Sequence, residues 1–499
     1  MLGGEVIHIG YVVQGPCDYK RSHPVRCHAA LCRTRRAILQ PSFRCTKPPY
    51  LNINKAMIRQ QARNIVGHAL PILIAQLASM GMMVIDTVLL GHHGTVDLAA
   101  VAVGGGIYIA VVFALVGILQ AVAPTVAHHV GAKREEEVAG ALQQTVWLAL
   151  VISLPGMLVL WFPDPILALS TIEPAVEEKL RLYLRILACG MPAALLYRTF
   201  YSFANALRRP RPMMLISLCN TLLHGVLAWS LVSGQFGEPM GAIGCGVSNM
   251  LVNWVGCLAA ATWLRFSPAL AKYQPFTHWQ RPRWQPIREL LRLGLPMGFS
   301  NFVEITSFTL IALFVAQLGA TTVAGHRIVA NLAALCYMLP LALAIATLAQ
   351  VGQAAGARDW PRSRAAIAAG LLLAGSLSTI LGVALWLAAE PIVFAYTVDP
   401  AVRAVSMGLI AYIALYQFFD AVQTIAAYSL RGYKITFAPM LVHTVAFWGV
   451  GLFGGWWLAF KAPQPMGVEG FWLASLVSLI VAAVLIGGLL WRAVRDTGR

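Results

Sequence analysis

From Ile65 onward the apolar residues run in blocks of about twenty, the length that crosses a bilayer core as a helix, and polar residues are confined to the short stretches between them. The blocks fall at 65–90, 98–123, 142–161, 182–205, 213–233 and 243–264. A second set follows at 293–318, 324–350, 366–388, 404–429, 439–460 and 470–492. Stretches such as Val101–Val122 and Leu371–Ala389 are apolar without alternation, which excludes the polar-lined strands of a membrane barrel. In hydrocarbon each backbone polar group must find its partner within its own segment, so the blocks are helices. The pattern predicts an all-α polytopic membrane protein of twelve transmembrane helices. It divides into a six-helix half over 57–270, a basic connector over 271–292 and a second six-helix half over 293–499.

Composition agrees. Of the 499 residues 58% are hydrophobic and only 11% charged, whereas soluble domains carry roughly 25%. The formal net charge of +17 would suit a nucleic-acid partner if it were gathered on one face. It is not, and no nucleic acid is expected. The charge sits in alternate connectors: Lys133 and Arg134; Arg208, Arg209 and Arg211; Arg265 to Arg292; Arg358, Arg362 and Arg364; Arg431 and Lys434. The intervening connectors hold acids, among them Asp97, Asp164, Glu173, Glu177 and Asp399. The positive-inside rule then places the basic connectors and both termini in the cytoplasm.

Residues 1–56 are basic, contain prolines and lack a span. They read as a disordered extension, or as upstream sequence carried by a mis-chosen start ahead of Met57. Cys17, Cys27, Cys32 and Cys45 lie there without zinc spacing, and no metal site is expected. There is no phosphate-binding Gly-Lys loop for nucleotide-driven transport and no catalytic constellation, so the chain does not read as an enzyme.

The two halves are copies. A shift of 225 residues lays Leu70-Pro71 on Leu295-Pro296, Gly94 on Gly319, and Gly131-Ala132-Lys133 on Gly356-Ala357-Arg358. Later landmarks pair with slightly different offsets: Glu173-Pro174 with Asp399-Pro400, Leu207-Arg208 with Leu430-Arg431, and Gly241 and Gly244 with Gly467 and Gly470. Six spans return the chain to its starting side. The repeats are therefore parallel, as in secondary transporters whose halves rock about a central path.

An ionisable group at mid-membrane costs roughly 2.5–3.5 kcal/mol on insertion scales, so acids inside the blocks mark function. Three stand out: Asp86, Glu304 and Asp420. Tyr416 lies four residues before Asp420 and shares its helix face. Two carboxylates and a phenol can hold a hard monovalent cation or relay protons. Asp86 and Glu304 are not equivalent in the repeat, since Asp86 aligns with Ile311. Asn220 and His224 share a face of the fifth span, His443 lies in the eleventh, and Arg327 is placed to snorkel from the start of the eighth.

On the motifs Leu70-Pro71-Ile72-Leu73, Asp86-Thr87-Val88-Leu89-Leu90-Gly91, Asp420-Ala421-Val422-Gln423 and Leu430-Arg431-Gly432-Tyr433-Lys434, residues 60–495 resemble the multidrug and toxic compound extrusion (MATE) family, NorM-like branch. The resemblance implies two six-helix lobes in a V with a central cleft, in the inner membrane of a bacterium. It implies antiport in which an organic cation leaves as sodium ions or protons enter, with no cofactor beyond that coupling ion. The expected acting unit is a monomer in the lipid bilayer. It assigns cation coupling to Glu304, Asp420 and Tyr416 in the second lobe and to Asp86 in the first. The branch carries two asparagines four apart in the fifth helix. Here those positions hold His224 and Ala228, which opens a His-assisted proton route. Two alternatives remain: a lipid-linked precursor flippase, which would want basic groups in the cleft, and a non-transporting receptor or scaffold, which would gain nothing from buried acids.

Overall fold

A computed structural model of the chain describes residues 55–168, 173–235, 237–277 and 279–497. The expected extension over 1–56 lies outside the described residues except for Lys55 and Ala56, which open the first helix. Twelve helices are long and apolar enough to cross a membrane. In the first half these are α1 (Lys55–His93), α2 (Thr95–Gly131), α3 (Glu135–Trp161), α4 (Pro174–Ala206), α5 (Pro210–Val232) and α6 (Ala242–Phe266). In the second they are α7 (Trp284–Leu318), α8 (Ala320–Gly356), α9 (Trp360–Leu387), α10 (Pro400–Gly432), α11 (Phe437–Phe460) and α12 (Val468–Asp496). All twelve helices begin before their apolar blocks, and seven also end after them, because polar turns at their ends remain helical outside the hydrocarbon.

Two spans are locally irregular. α2 breaks at Gln120 and Ala121. Pro124 lacks the N–H that would bond the Gln120 carbonyl, and Ala123 N–H bonds it instead at 3.0 Å. In α11 residues Thr444–Phe453 wind as a π-helix, a form that concentrates at functional sites.

The repeat is written in the backbone as well as in the sequence. α2, α4, α8 and α10 each end on a left-handed basic residue: Lys133 (φ 59), Arg208 (φ 59), Arg358 (φ 56) and Lys434 (φ 62). After each, one N–H reaches back five residues to close the helix: Arg134 to His129, Arg209 to Ala204, Asp359 to Ala354 and Ile435 to Leu430, all at 2.9 Å. The left-handed conformation costs an L-residue about 1–2 kcal/mol. A cation beside four free carbonyls at a helix C-terminus offsets part of that cost. These caps correct one landmark. Leu207-Arg208 corresponds to Tyr433-Lys434 and not to Leu430-Arg431, because the equivalent feature is the left-handed residue rather than the Leu-basic pair. At the other end of the bundle Gly241 (φ 52, ψ −128) and Gly467 (φ 58, ψ −133) open α6 and α12 in matching conformations that essentially only glycine adopts. Asp97, expected in a connector, sits in the first turn of α2 and accepts from Ala242 N–H at 2.9 Å and Lys179 Nζ at 2.8 Å. It thus caps α6 and neutralises one of the few basic residues at that end.

Each half forms a six-helix lobe, and the two lobes exchange the first halves of α1 and α7. Before Pro71, Ile65 and Ala69 of α1 pack into the second lobe with Ala346 and Ile425; further along, α1 lies on α5. Before Pro296, Leu290 of α7 joins the first lobe's core with Val116 and Leu119; beyond it, Val303, Ile311 and Val315 pack in the second. In lipid, close packing rather than water expulsion joins helices, and small residues permit it. A Cβ on Gly131 would overlap the Gln353 carbonyl, and one on Gly356 would overlap the His128 carbonyl. Gly298 meets Gly117 across the same interface.

Side chains lock this junction with near two-fold symmetry. His128 of α2 bonds the Gly432 carbonyl at 2.7 Å, and its repeat equivalent, Gln353 of α8, donates to the Ala206 carbonyl at 2.8 Å. All four residues lie at the end of the bundle that carries the left-handed basic caps. The connector between the halves is also fastened there. Gln143 and Gln144 of α3 exchange hydrogen bonds with backbone groups of Pro275, Gln280, Arg281 and Arg283 at 2.8–2.9 Å.

Candidate functional site

Glu304 follows Pro296 by two helical turns, just past the point where α7 enters its own lobe, and is partly exposed. Tyr416 and Asp420 occupy successive turns of α10, with relative exposures of 5% and 4%. Val303 packs in one core cluster with Tyr416, which brings the two helices together. The Glu304 and Asp420 carboxylates are close enough to act on each other electrostatically, and both act on the Tyr416 and Tyr337 hydroxyls. The three second-lobe residues singled out by the sequence are therefore one group. Tyr337 of α8 joins them, although its phenol within an apolar run gave no signal of its own.

Asp420 is held in place by a short chain of bonds. Gln423 Nε2 donates to Asp420 Oδ1 at 3.1 Å and to Thr424 Oγ1 at 3.0 Å. Gln423 Oε1 then takes a hydrogen bond from His443 Nε2 at 3.1 Å. His443 stands where α11 turns into its π-segment. α7 bonds to that segment: Ser307 Oγ donates to the Phe447 oxygen at 3.1 Å, while Trp448 Nε1 donates to Thr306 Oγ1 at 3.1 Å. The π-segment thereby anchors the turn of α7 that follows Glu304.

Arg431 was counted by sequence among the connector charges. It is instead buried in the last turn of α10, at 5% exposure, because its guanidinium has partners inside the protein. It donates to Gln120 Oε1 of the first lobe at 3.3 Å and to Asn301 Oδ1 of α7 at 3.4 Å, and lies 4.4 Å from the centre of the Tyr428 ring. Its charge also acts on Glu304. One buried cation thus connects the break in α2, the acid of α7 and the end of α10. Arg327 is exposed, as a snorkelling residue should be, while its neighbour His326 is buried and accepts from Trp472 Nε1 at 3.2 Å.

Asp86 is apart from this group. It lies in the C-terminal half of α1, beyond the crossing, and its Oδ1 is 2.9 Å from His224 Nε2 of α5. His224 is fully buried, and its Nδ1 lies 2.9 Å from Ser248 Oγ of α6. The histidine that replaces the expected asparagine is therefore the direct partner of the first-lobe acid. Ala228, the other departure, is buried on the same helix. Sequence alone marked His224 and Asp86 separately. No spacing rule joins residues on helices 138 positions apart.

A two-lobed bundle of twelve spanning helices with buried acids on both sides of its junction is the architecture of a multi-pass membrane transporter. The MatE family model matches residues 71–230 and again 296–457, once per half and in the register of the repeat, and the chain belongs to that family. It is 56% identical over 433 residues to a probable multidrug resistance protein NorM of Aromatoleum aromaticum, covering 86% of this chain and 94% of that one. It is 35% identical to the multidrug resistance protein PmpM of Pseudomonas aeruginosa, over 90% of this chain and 95% of that one. Among solved structures it superposes on the eukaryotic MATE transporter AtDTX14 with a TM-score of 0.81 and 19% identity, covering 88% of this chain and 99% of that one.

Proposed function

We propose that the chain is a multidrug exporter that moves organic cations out of the cytoplasm of a bacterium, across its inner membrane, in exchange for sodium ions or protons. The observation that carries this reading is the pairing of Glu304 with Asp420 and Tyr416 beside the inter-lobe junction, within reach of Arg431. Two carboxylates and a phenol supply the oxygen donors and the negative charge that a monovalent cation or a proton requires. Arg431 competes for the same negative charge while donating to Gln120 across the junction. Occupancy of the acids is thereby linked to what holds the lobes together, and this is the differential interaction that coupling demands. The multidrug names of the relatives support organic cations as the substrate class.

With the basic connectors and both termini in the cytoplasm, the bonds His128–Gly432, Gln353–Ala206 and Arg431–Gln120 all lie on the cytoplasmic side. The cleft then opens to the outside, the state in which drug leaves and the coupling ion enters. Both lobes and the junction come from one chain, which supports a monomer as the working unit. The acidic character of the second-lobe group speaks against a flippase handling lipid phosphates, and a scaffold would have no use for it.

The test is transport by the purified protein in liposomes. An inward sodium or proton gradient, imposed separately, is expected to drive uphill export of ethidium. No movement of any organic cation under either gradient would remove this reading.

A further inference from the structure

We propose that a cavity at the end of α6 holds the headgroup of an anionic phospholipid, with Arg265 on its phosphate and the acyl chains along the lipid-facing side of α6. The cavity has a volume of about 220 Å³ and lies where α6 runs into the connector. One water occupies roughly 30 Å³ in the liquid, so there is room for a phosphate and its glycerol. Arg265, Ser267, Gln274 and Thr277 supply the polar side chains, and no acid among the described residues lines the cavity. Among the described residues none of these four side chains has a hydrogen-bond or ionic partner; the Arg265 guanidinium lies only near the Phe266 ring, 5.6 Å from its centre. The connector's lysine is different, since Lys272 is engaged by Glu135 at 3.3 Å and lies 4.5 Å from the centre of the Tyr273 ring. The cavity wall is fixed in place. Gln143 Nε2 donates to the Pro275 carbonyl at 2.9 Å, and Phe276 stacks on Trp279 with ring centres 5.9 Å apart while meeting Phe200 edge-on. A preformed set of free donors therefore stands beside one free cation.

The chemistry of that set selects the headgroup. A guanidinium presents a fork of N–H donors that matches phosphate, and hydroxyl and amide groups donate to the remaining oxygens. The negative end of the α6 dipole opposes an anion here, by less than a bidentate guanidinium supplies. A zwitterionic headgroup would bring an ammonium into a cavity with no carboxylate to meet it. Glycerol hydroxyls instead find Ser267, Gln274 and Thr277. A lipid fits better than a soluble phosphate because of what leads up to the cavity. Leu251, Trp254, Leu258, Thr262 and Arg265 recur every three or four residues along one exposed face of α6. Leu258 is 62% exposed, and Phe266 at the cavity's edge is 74% exposed. That stripe is the surface an acyl chain follows, and it ends at the guanidinium. The positive-inside rule puts this end in the cytoplasmic leaflet, where basic pockets between spans take anionic headgroups. The site stands whether or not the chain is an antiporter.

The experiment is native mass spectrometry of the full chain in detergent, with palmitoyl-oleoyl phosphatidylglycerol or the phosphatidylcholine of the same acyl chains added in turn. The parent is expected to retain the phosphatidylglycerol about tenfold more tightly, the scale of one charge-assisted contact. Arg265→Gln should abolish that preference, and so should Thr277→Asp, which sets a carboxylate in the cavity without touching the arginine. Arg288→Gln removes an exposed charge from the following helix and should leave the preference intact. Millimolar inorganic phosphate should not displace the lipid. Equal retention of the two lipids, or an unaltered preference in Arg265→Gln, would overturn the proposal. So would an equal loss in Arg288→Gln, which would mean attraction to surface charge alone, or displacement by inorganic phosphate, which would make the cavity a site for soluble phosphate.

Discussion

Glu304→Gln and Asp420→Asn are each expected to lose gradient-driven export by about tenfold to a hundredfold while still binding organic cations. Each change keeps the shape of the side chain and removes the charge, and Arg431 keeps its bonds to Gln120 and Asn301 and its contact with Tyr428, so the fold is preserved. What disappears is a charge-assisted interaction worth about 1.5–3 kcal/mol, one to two decades in an equilibrium constant. The loss falls on coupling because an ion moves a two-state equilibrium only by the difference between its affinities for the two states. With Glu304 neutral, Arg431 has lost its acidic competitor and keeps its bonds to Gln120 and Asn301 whether or not an ion is present. Transport in liposomes together with ligand binding by fluorescence checks this. Undiminished transport in both variants would mean that the acids are structural.

The second large effect is expected at the junction. Gly131→Val and Gly356→Val each place a branched side chain where the backbone of the other lobe already stands, at the Gln353 and His128 carbonyls respectively. Overpacking a tight contact costs about 1–3 kcal/mol, and a rigid carbonyl gives way less readily than a side chain. The cost is confined to the state in which the lobes meet at the basic end. Both variants should therefore populate the opposite state and export poorly, yet remain folded. Thiol labelling by a membrane-impermeant reagent checks this, with single cysteines placed at Asn301 or Gln120. Labelling from the cytoplasmic side should rise about tenfold over the glycine parent. Unchanged labelling would show that this contact does not govern the state of the lobes.

These contacts also show what the sequence held and what it did not. The twelve spans were legible because hydrocarbon leaves the backbone no alternative to helix, so each apolar block speaks for itself. The repeat was legible through glycines and helix ends, and Gly131 and Gly356 prove to stand where the other lobe's backbone leaves no room for a Cβ. The acids were legible through their insertion cost. Partnership was not. Nothing in the order of residues says that His224 reaches Asp86, that Gln423 stands between Asp420 and His443, or that Arg431 turns inward to Gln120. The bonds of His224 and Arg431 join helices far apart in the chain, and even Gln423, one turn from Asp420 on its own helix, meets His443 only once the helices have packed. The π-winding of α11 likewise carries no apolar period that distinguishes it from α-helix.

The central claim is obligatory exchange, and its most direct measurement runs the exchanger backwards. Liposomes carrying the protein are given an ethidium gradient and no ion gradient, and the movement of sodium and of protons is recorded. Downhill ethidium should drive one of these ions uphill in the opposite direction in the parent, and should fail to do so in Glu304→Gln. Ethidium movement in the parent with neither ion displaced would contradict the account.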